Sequence, residues 1–207
     1  MQANTKITFA ILALIISQAA FAQDSSPHRT GKELYDEILR SEQQGRLMFD
    51  QSFKGLPVDQ KKLQTNFQEG LAADNELEQL AKTGDIDARY YMGLYQIHVG
   101  NTELATARQK PEFSTYADQD FKKAVEWLKP LADQNIPQAQ WMYGQLFANG
   151  NGVNKSGSNA IELWFKAAQI YLNTGDRENA LTLFDMIKNT DQSNPLVTKL
   201  QKLLFPN

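Results

Sequence analysis

The sequence predicts an all-α repeat protein, an α-solenoid built from helix pairs. Three observations lead there. No alternating Val/Ile/Thr run bounded by hairpin turns is present, so strand signals are nearly absent. Ala, Leu, Gln, Lys and Glu dominate, and from Lys32 onward apolar residues recur at helical spacing. Blocks of small and aromatic residues return at a fixed period, the mark of a stacked repeat.

Residues 1–22 read as a Sec-type signal peptide. Met1 to Lys6 carries one positive charge, Ile7 to Ile16 is almost wholly apolar, and Ala20-Phe21-Ala22 fits the small-x-small cleavage rule, with cleavage after Ala22. The apolar run is about half the ~20 residues that a bilayer span needs, and polar Gln23-Asp24-Ser25-Ser26 follows it. No Cys stands at the cleavage point for a lipid anchor. The expectation is a periplasmic protein with no stable membrane insertion after cleavage, secretion being the alternative.

Residues 23–31 are polar with Pro and Gly and are expected to be flexible. Residues 32–72 form N-terminal helices: Leu34, Ile38 and Leu39, then Leu47, Met48 and Phe49, mark one or two amphipathic helices to about Phe53. Gly55-Leu56-Pro57 breaks them, and Val58-Asp59 opens a helix running towards Ala72.

The repeats occupy residues 73–190. Ala81, Ala132 and Ala168 mark equivalent helix ends. Ala88 and Ala139 each open a helix with Gly five residues later, at Gly93 and Gly144. A second helix type starts at Ala124 and Ala160, which lie 36 residues apart, as do Ala132 and Ala168. Ala88 and Ala139 lie 51 apart, so the first unit carries an insertion, placed at about residues 101–115 and expected in a loop because the helices must keep stacking. Small Ala and Gly let neighbouring helices approach, and Tyr91, Trp127, Trp141, Phe147 and Trp164 are expected to fill the core. Pro195 opens a C-terminal capping helix within residues 191–207.

The run Ala139-x4-Gly144-x2-Phe147-x2-Gly150-x-Gly152-Val153, followed by Ala160 and Trp164-Phe165-Lys166-Ala167-Ala168, resembles a Sel1-like repeat, a relative of the tetratricopeptide repeat. Residues 88–132 resemble a degenerate copy without the Gly-x-Gly-Val loop, and residues 163–188 look like a tetratricopeptide unit. The resemblance implies a right-handed α-solenoid of stacked antiparallel helix pairs whose concave face grips a protein. Residues 32–72 are not explained by it.

The absence of Cys excludes a disulfide framework, a thiolate nucleophile and a Cys-based zinc site. A net charge of -3 gives no basic footprint for nucleic acid, and Lys61-Lys62 and Lys122-Lys123 read as solvated helix faces. His28 and His98 stand far apart without metal-ligand spacing. No Gly-x-Ser-x-Gly elbow exists, and Gly150-Asn151-Gly152 lacks the Lys-Ser/Thr of a phosphate loop. Asp118/Asp120 and Glu76/Glu78 read as charges near helix starts rather than a paired-carboxylate site. No catalytic residue, metal or cofactor is therefore expected.

The function expected is a non-catalytic periplasmic adaptor that docks an envelope or secretion-system protein. The alternatives are an immunity protein neutralising a delivered toxin enzyme and, more remotely, a cell-wall hydrolase. Arg89, Tyr90, Gln140 and Tyr143 are the expected contact residues, taken as exposed on the inner helices because binding surfaces favour Arg and Tyr.

Overall fold

Residues 29–206 are described by a computed structural model. Within them lie eight α-helices and no strand: α1 Gly31–Phe53, α2 Gln60–Thr83, α3 Ile86–Ala107, α4 Phe113–Asp133, α5 Pro137–Asn149, α6 Gly157–Asn173, α7 Arg177–Thr190 and α8 Pro195–Leu204. Each helix packs on its neighbour in sequence, while α1 also reaches α3 and α6 reaches α8. The expected signal peptide, residues 1–22, lies outside the described residues. No helix among the described residues is long and apolar enough to cross a membrane.

The helix starts are written in short polar side chains. Asp59, Asp85, Ser156 and Asp176 each accept the backbone N–H three residues on, Asn194 accepts that of Leu196, and Thr30 and Glu33 form a reciprocal capping box. Each such cap stabilises its helix by roughly 1 kcal/mol by satisfying a donor that has no intrahelical partner. Arg29 and Thr30, expected in a flexible leader, are anchored: the Arg29 guanidinium pairs with Glu37 of α1 and Glu76 of α2.

Three apolar clusters follow one another along the chain. Leu34, Ile38, Ala73, Leu77, Ala81, Ala88 and Met92 join α1, α2 and the start of α3. Phe121, Leu128, Leu131 and Leu146 centre the second cluster, between α3, α4 and α5. Ile161, Trp164, Leu183, Ile187 and Leu200 centre the third, which ends at α8.

The repeat register is a small-to-large contact. A Cβ on Gly93 would stand 2.5 Å from Leu128 Cγ, and one on Gly144 would stand 2.5 Å from Trp164 Nε1. The missing methylene is thus the seat of the large side chain on the next helix. In the second unit the indole N–H of Trp164 also donates to the carbonyl of Trp141 at 3.0 Å. The Gly-x-Gly-Val loop serves the same close approach. Gly152, at φ 67°, brings its backbone against α4, where a Cβ would stand 2.5 Å from the carbonyl carbon of Phe121.

Two boundaries differ from expectation. α2 runs unbroken from Gln60 to Thr83, so the division between residues 72 and 73 falls inside a helix, and Ala73, Leu77 and Ala81 share one apolar stripe facing α1. The insertion is largely helix rather than loop: residues 101–107 continue α3, and a short turn leads to α4 at Phe113. Thr102 and Thr106 each satisfy a hydroxyl on the carbonyl four residues back, and neither β-branched residue interrupts the helix.

Substituting Gly152 by Ala adds both a left-handed strain of roughly 1–2 kcal/mol and an overpacking cost of roughly 1–3 kcal/mol. Gly175, at φ 82°, has nothing within 4 Å of its Cβ position and meets only the first cost. Chemical denaturation should therefore show Gly152→Ala as the more damaging of the two, by about 1 kcal/mol or more; equal losses would contradict the close approach of the loop to α4.

Candidate binding cleft

α1, α2 and α3 close together at one end and part at the other. At the closed end Gly31 seats on the backbone of Ala88, where a Cβ would stand 2.6 Å from the Ala88 Cα, and the Lys32 N–H donates to Asp87 Oδ2 at 3.2 Å. Further along, α1 and α2 hold each other through a reciprocal pair. Ser41 Oγ donates to the Asn66 carbonyl at 2.7 Å, and Asn66 Nδ2 donates to the Ser41 carbonyl at 2.8 Å. Gly70 leaves the room that the Ser41 side chain needs.

α3 is meanwhile drawn to the other side. Gly93 lies on Leu128 and Gly100 on the ring of Phe121, 3.0 Å from its Cβ position, which commits the second half of α3 to α4. The space left between the α1–α2 hairpin and α3 is an open cleft of about 850 Å³. This lies within the ~300–1,000 Å³ common for binding clefts. Its outer wall is the helical extension that carries Thr102 and Glu103.

The apolar lining comes from Ile38 and Phe49 of α1, Leu63, Phe67 and Leu71 of α2 and Val99 of α3. Phe49 is 59% exposed and Phe67 63% exposed, so the lip of the cleft presents aromatic surface to solvent. Beyond it α1 ends in Phe53, 91% exposed. Large apolar side chains clustered on one rim mark interaction surfaces more than single exposed ones do.

The polar lining includes three carboxylates, Glu42, Asp74 and Glu103, with Arg46 and His98 among them. His98 of α3 reaches Glu42 of α1 across the cleft, Nε2 to Oε2 at 2.9 Å, and Arg46 stands 4.0 Å from the same carboxylate. Asp74 makes no hydrogen bond or ion pair among the described residues. Burial pushes its carboxyl above the ordinary range, helped by Glu78 and Glu42. Burial also pushes the Tyr95 phenol up to about 12, with Asp74 and Glu42 adding to it. The carboxyl of Glu103 is raised by burial and then by neighbouring Asp120 of α4, while Lys123 opposes the shift; one Glu103 oxygen is buried without a partner.

The four residues expected to contact a partner do not form one exposed face, and for two of them the expectation is corrected. Gln140 is 1% exposed, and Tyr143 is 9% exposed, its ring 4.8 Å from that of Phe147. Neither has the exposure expected of a contact residue on an inner helix. Gln140 Nε2 donates to the Ala132 carbonyl at 3.2 Å, and Arg89 Nε donates to the Ala81 carbonyl at 3.0 Å. These two residues occupy equivalent repeat positions and do the same work, capping the end of the preceding helix. Tyr90 packs against the second cluster and the edge of Tyr91, its ring 5.2 Å away, and burial pushes its phenol upward.

Sequence reasoning missed the cleft, since it left residues 32–72 without a role. The available signal was an excess: Leu47, Phe49, Phe53, Phe67 and Leu71 are more apolar residues than one buried stripe on each helix can hold, and all five are exposed. The described residues contain no group of three or more His, Asp or Glu arranged to hold a metal ion.

A raised Glu103 carboxyl favours the fold fully below the ordinary value of 4.5, and that contribution is lost as pH climbs through the folded-state value. Glu103→Gln removes the loss. Thermal melts should show the variant gaining on the wild type at pH 7 and little at pH 4; the same shift at both would contradict the burial of this charge.

Compared with protein-family models, curated proteins and solved structures, the chain has no significant match.

Proposed function

We propose that this chain is a non-catalytic scaffold of the bacterial envelope, a right-handed α-solenoid of Sel1-like type exported to the periplasm, which docks an envelope or secretion-system protein. The single observation that carries the reading is the cleft between α1, α2 and α3, with its exposed aromatic lip. Export rests on the leader sequence, and the solenoid class on the small and aromatic residues in register.

The chemistry of the cleft favours binding over turnover. The serine and threonine hydroxyls that line it are committed to backbone, Ser41 Oγ donating to the Asn66 carbonyl and Thr102 Oγ1 to the His98 carbonyl, so neither is paired with the His98 imidazole. Nucleophilic catalysis would need a free hydroxyl in reach of such a base. Apolar surface with a few placed polar groups is instead what a recognition site requires.

The contact surface proposed is therefore the cleft, and the role of Arg89 and Gln140 is structural. A photo-crosslinking amino acid at position 67 of the full chain in living cells should yield a discrete heavier adduct, recovered from the periplasm and diminished by Phe49→Ser. The same group in place of Lys166, exposed on α6, should yield none. No adduct from position 67, or the same adduct from both positions, would contradict the assignment.

A further inference from the structure

We propose that the cleft receives an amphipathic α-helix bearing a basic side chain that pairs with Asp74. The proposal rests on the cleft being the contact surface and adds the chemistry of what fills it.

The case for a helix comes from the backbone. All three walls are helices whose N–H and C=O groups are satisfied within themselves, so no sheet edge is offered. An extended segment laid among these apolar side chains would bury peptide groups without partners, which costs the full desolvation of each. A helix satisfies its own backbone and presents side chains alone. It would also stand as the fourth helix on the side where α1, α2 and α3 part, meeting Phe49, Phe67 and Leu71 with its apolar face.

Charge complementarity sets the polar side of the occupant. Glu42 has His98 and Arg46 beside it, and Asp120, next to Glu103, has Lys123 at 2.6 Å. Asp74 lines the same cleft half-buried and has no cation among the described residues, whereas Glu78 one turn along α2 is paired with Lys82 at 2.9 Å; burial, then the charges of Glu78 and Glu42, raises the Asp74 carboxyl. A Lys or Arg from the occupant would relieve that repulsion, whereas an acidic side chain would add to it. The same argument disfavours an anionic amphiphile.

The test uses the full chain and three labelled helical peptides of about 18 residues, long enough to span the lip at 1.5 Å per residue. All share one Leu/Ala apolar face and differ at a single polar-edge position, which is Lys, Gln or Glu. By fluorescence anisotropy the Lys peptide should bind about fivefold tighter than the Gln peptide, the upper range for a partly exposed ion pair, and the Glu peptide weakest. Asp74→Asn should abolish the Lys preference while leaving the Gln peptide unchanged. Phe67→Ser, at an exposed position on the lip, should weaken all three.

Equal binding of Lys and Gln peptides, or a preference that survives Asp74→Asn, overturns the basic-helix proposal and leaves the cleft reading standing. Peptide affinities that Phe67→Ser does not change overturn the cleft reading itself. Two further outcomes replace the occupant. Binding to phosphatidylethanolamine/phosphatidylglycerol vesicles without peptide binding would assign the lip to a lipid surface. Self-association in sedimentation that Phe67→Ser removes would assign it to a second copy of the chain.

Discussion

α3 is shared between two partners that pull on different halves of it. At its start the backbone of Ala88 receives Gly31 of α1, and further along Gly93 and Gly100 receive Leu128 and Phe121 of α4. Each contact is possible only because a side chain is missing from one surface, since interiors packed at crystal-like density leave no room for both. The α1–α2 hairpin, held by Ser41 and Asn66, cannot follow α3 towards α4. The cleft, with its aromatic lip, is the geometric remainder of these two sets of contacts.

The same logic runs through the repeats. Leu128 and Trp164 occupy equivalent seats, and so do Gly93 and Gly144 beneath them. The exchange of Leu for Trp is accompanied by a new hydrogen bond, indole to the Trp141 carbonyl, which satisfies the one polar atom that the larger side chain brings. Arg89 and Gln140 likewise exchange a charged for a neutral donor while both reach the carbonyl eight residues back. What repeats along this chain is a set of contacts, and residue identity varies within it.

That distinction explains what could be read in advance. The helical class and the sequence-adjacent pairing were legible from Ala and Gly spacing and the absence of strand patterns, because those features are local. Trp164 was recognisable as core, and it is 2% exposed. Its place on an inner helix makes Gln140 look like a contact residue; its capping partner, the Ala132 carbonyl, lies on the preceding helix and leaves no mark on the sequence around it. The helical continuation through residues 101–107 was hidden by a repeat comparison that registers extra length without saying what form it takes. The cleft was illegible for a related reason: Phe49 and Phe67 look like core on a helical wheel, and only the divergence of α3 leaves them uncovered.

These contacts hold α1, α2 and α3 closed at one end and open at the other. The chain has no Cys, so spin labels attach only where a Cys is introduced. Electron–electron distance measurements on a closed-end pair, Lys32→Cys with Lys82→Cys, and an open-end pair, Gln68→Cys with Asn101→Cys, test it most directly. Both pairs should give a narrow distance distribution, the open-end pair matching the separation of α2 and α3 across the cleft. A broad open-end distribution, or one collapsed to helix-contact distance, would contradict a preformed cleft.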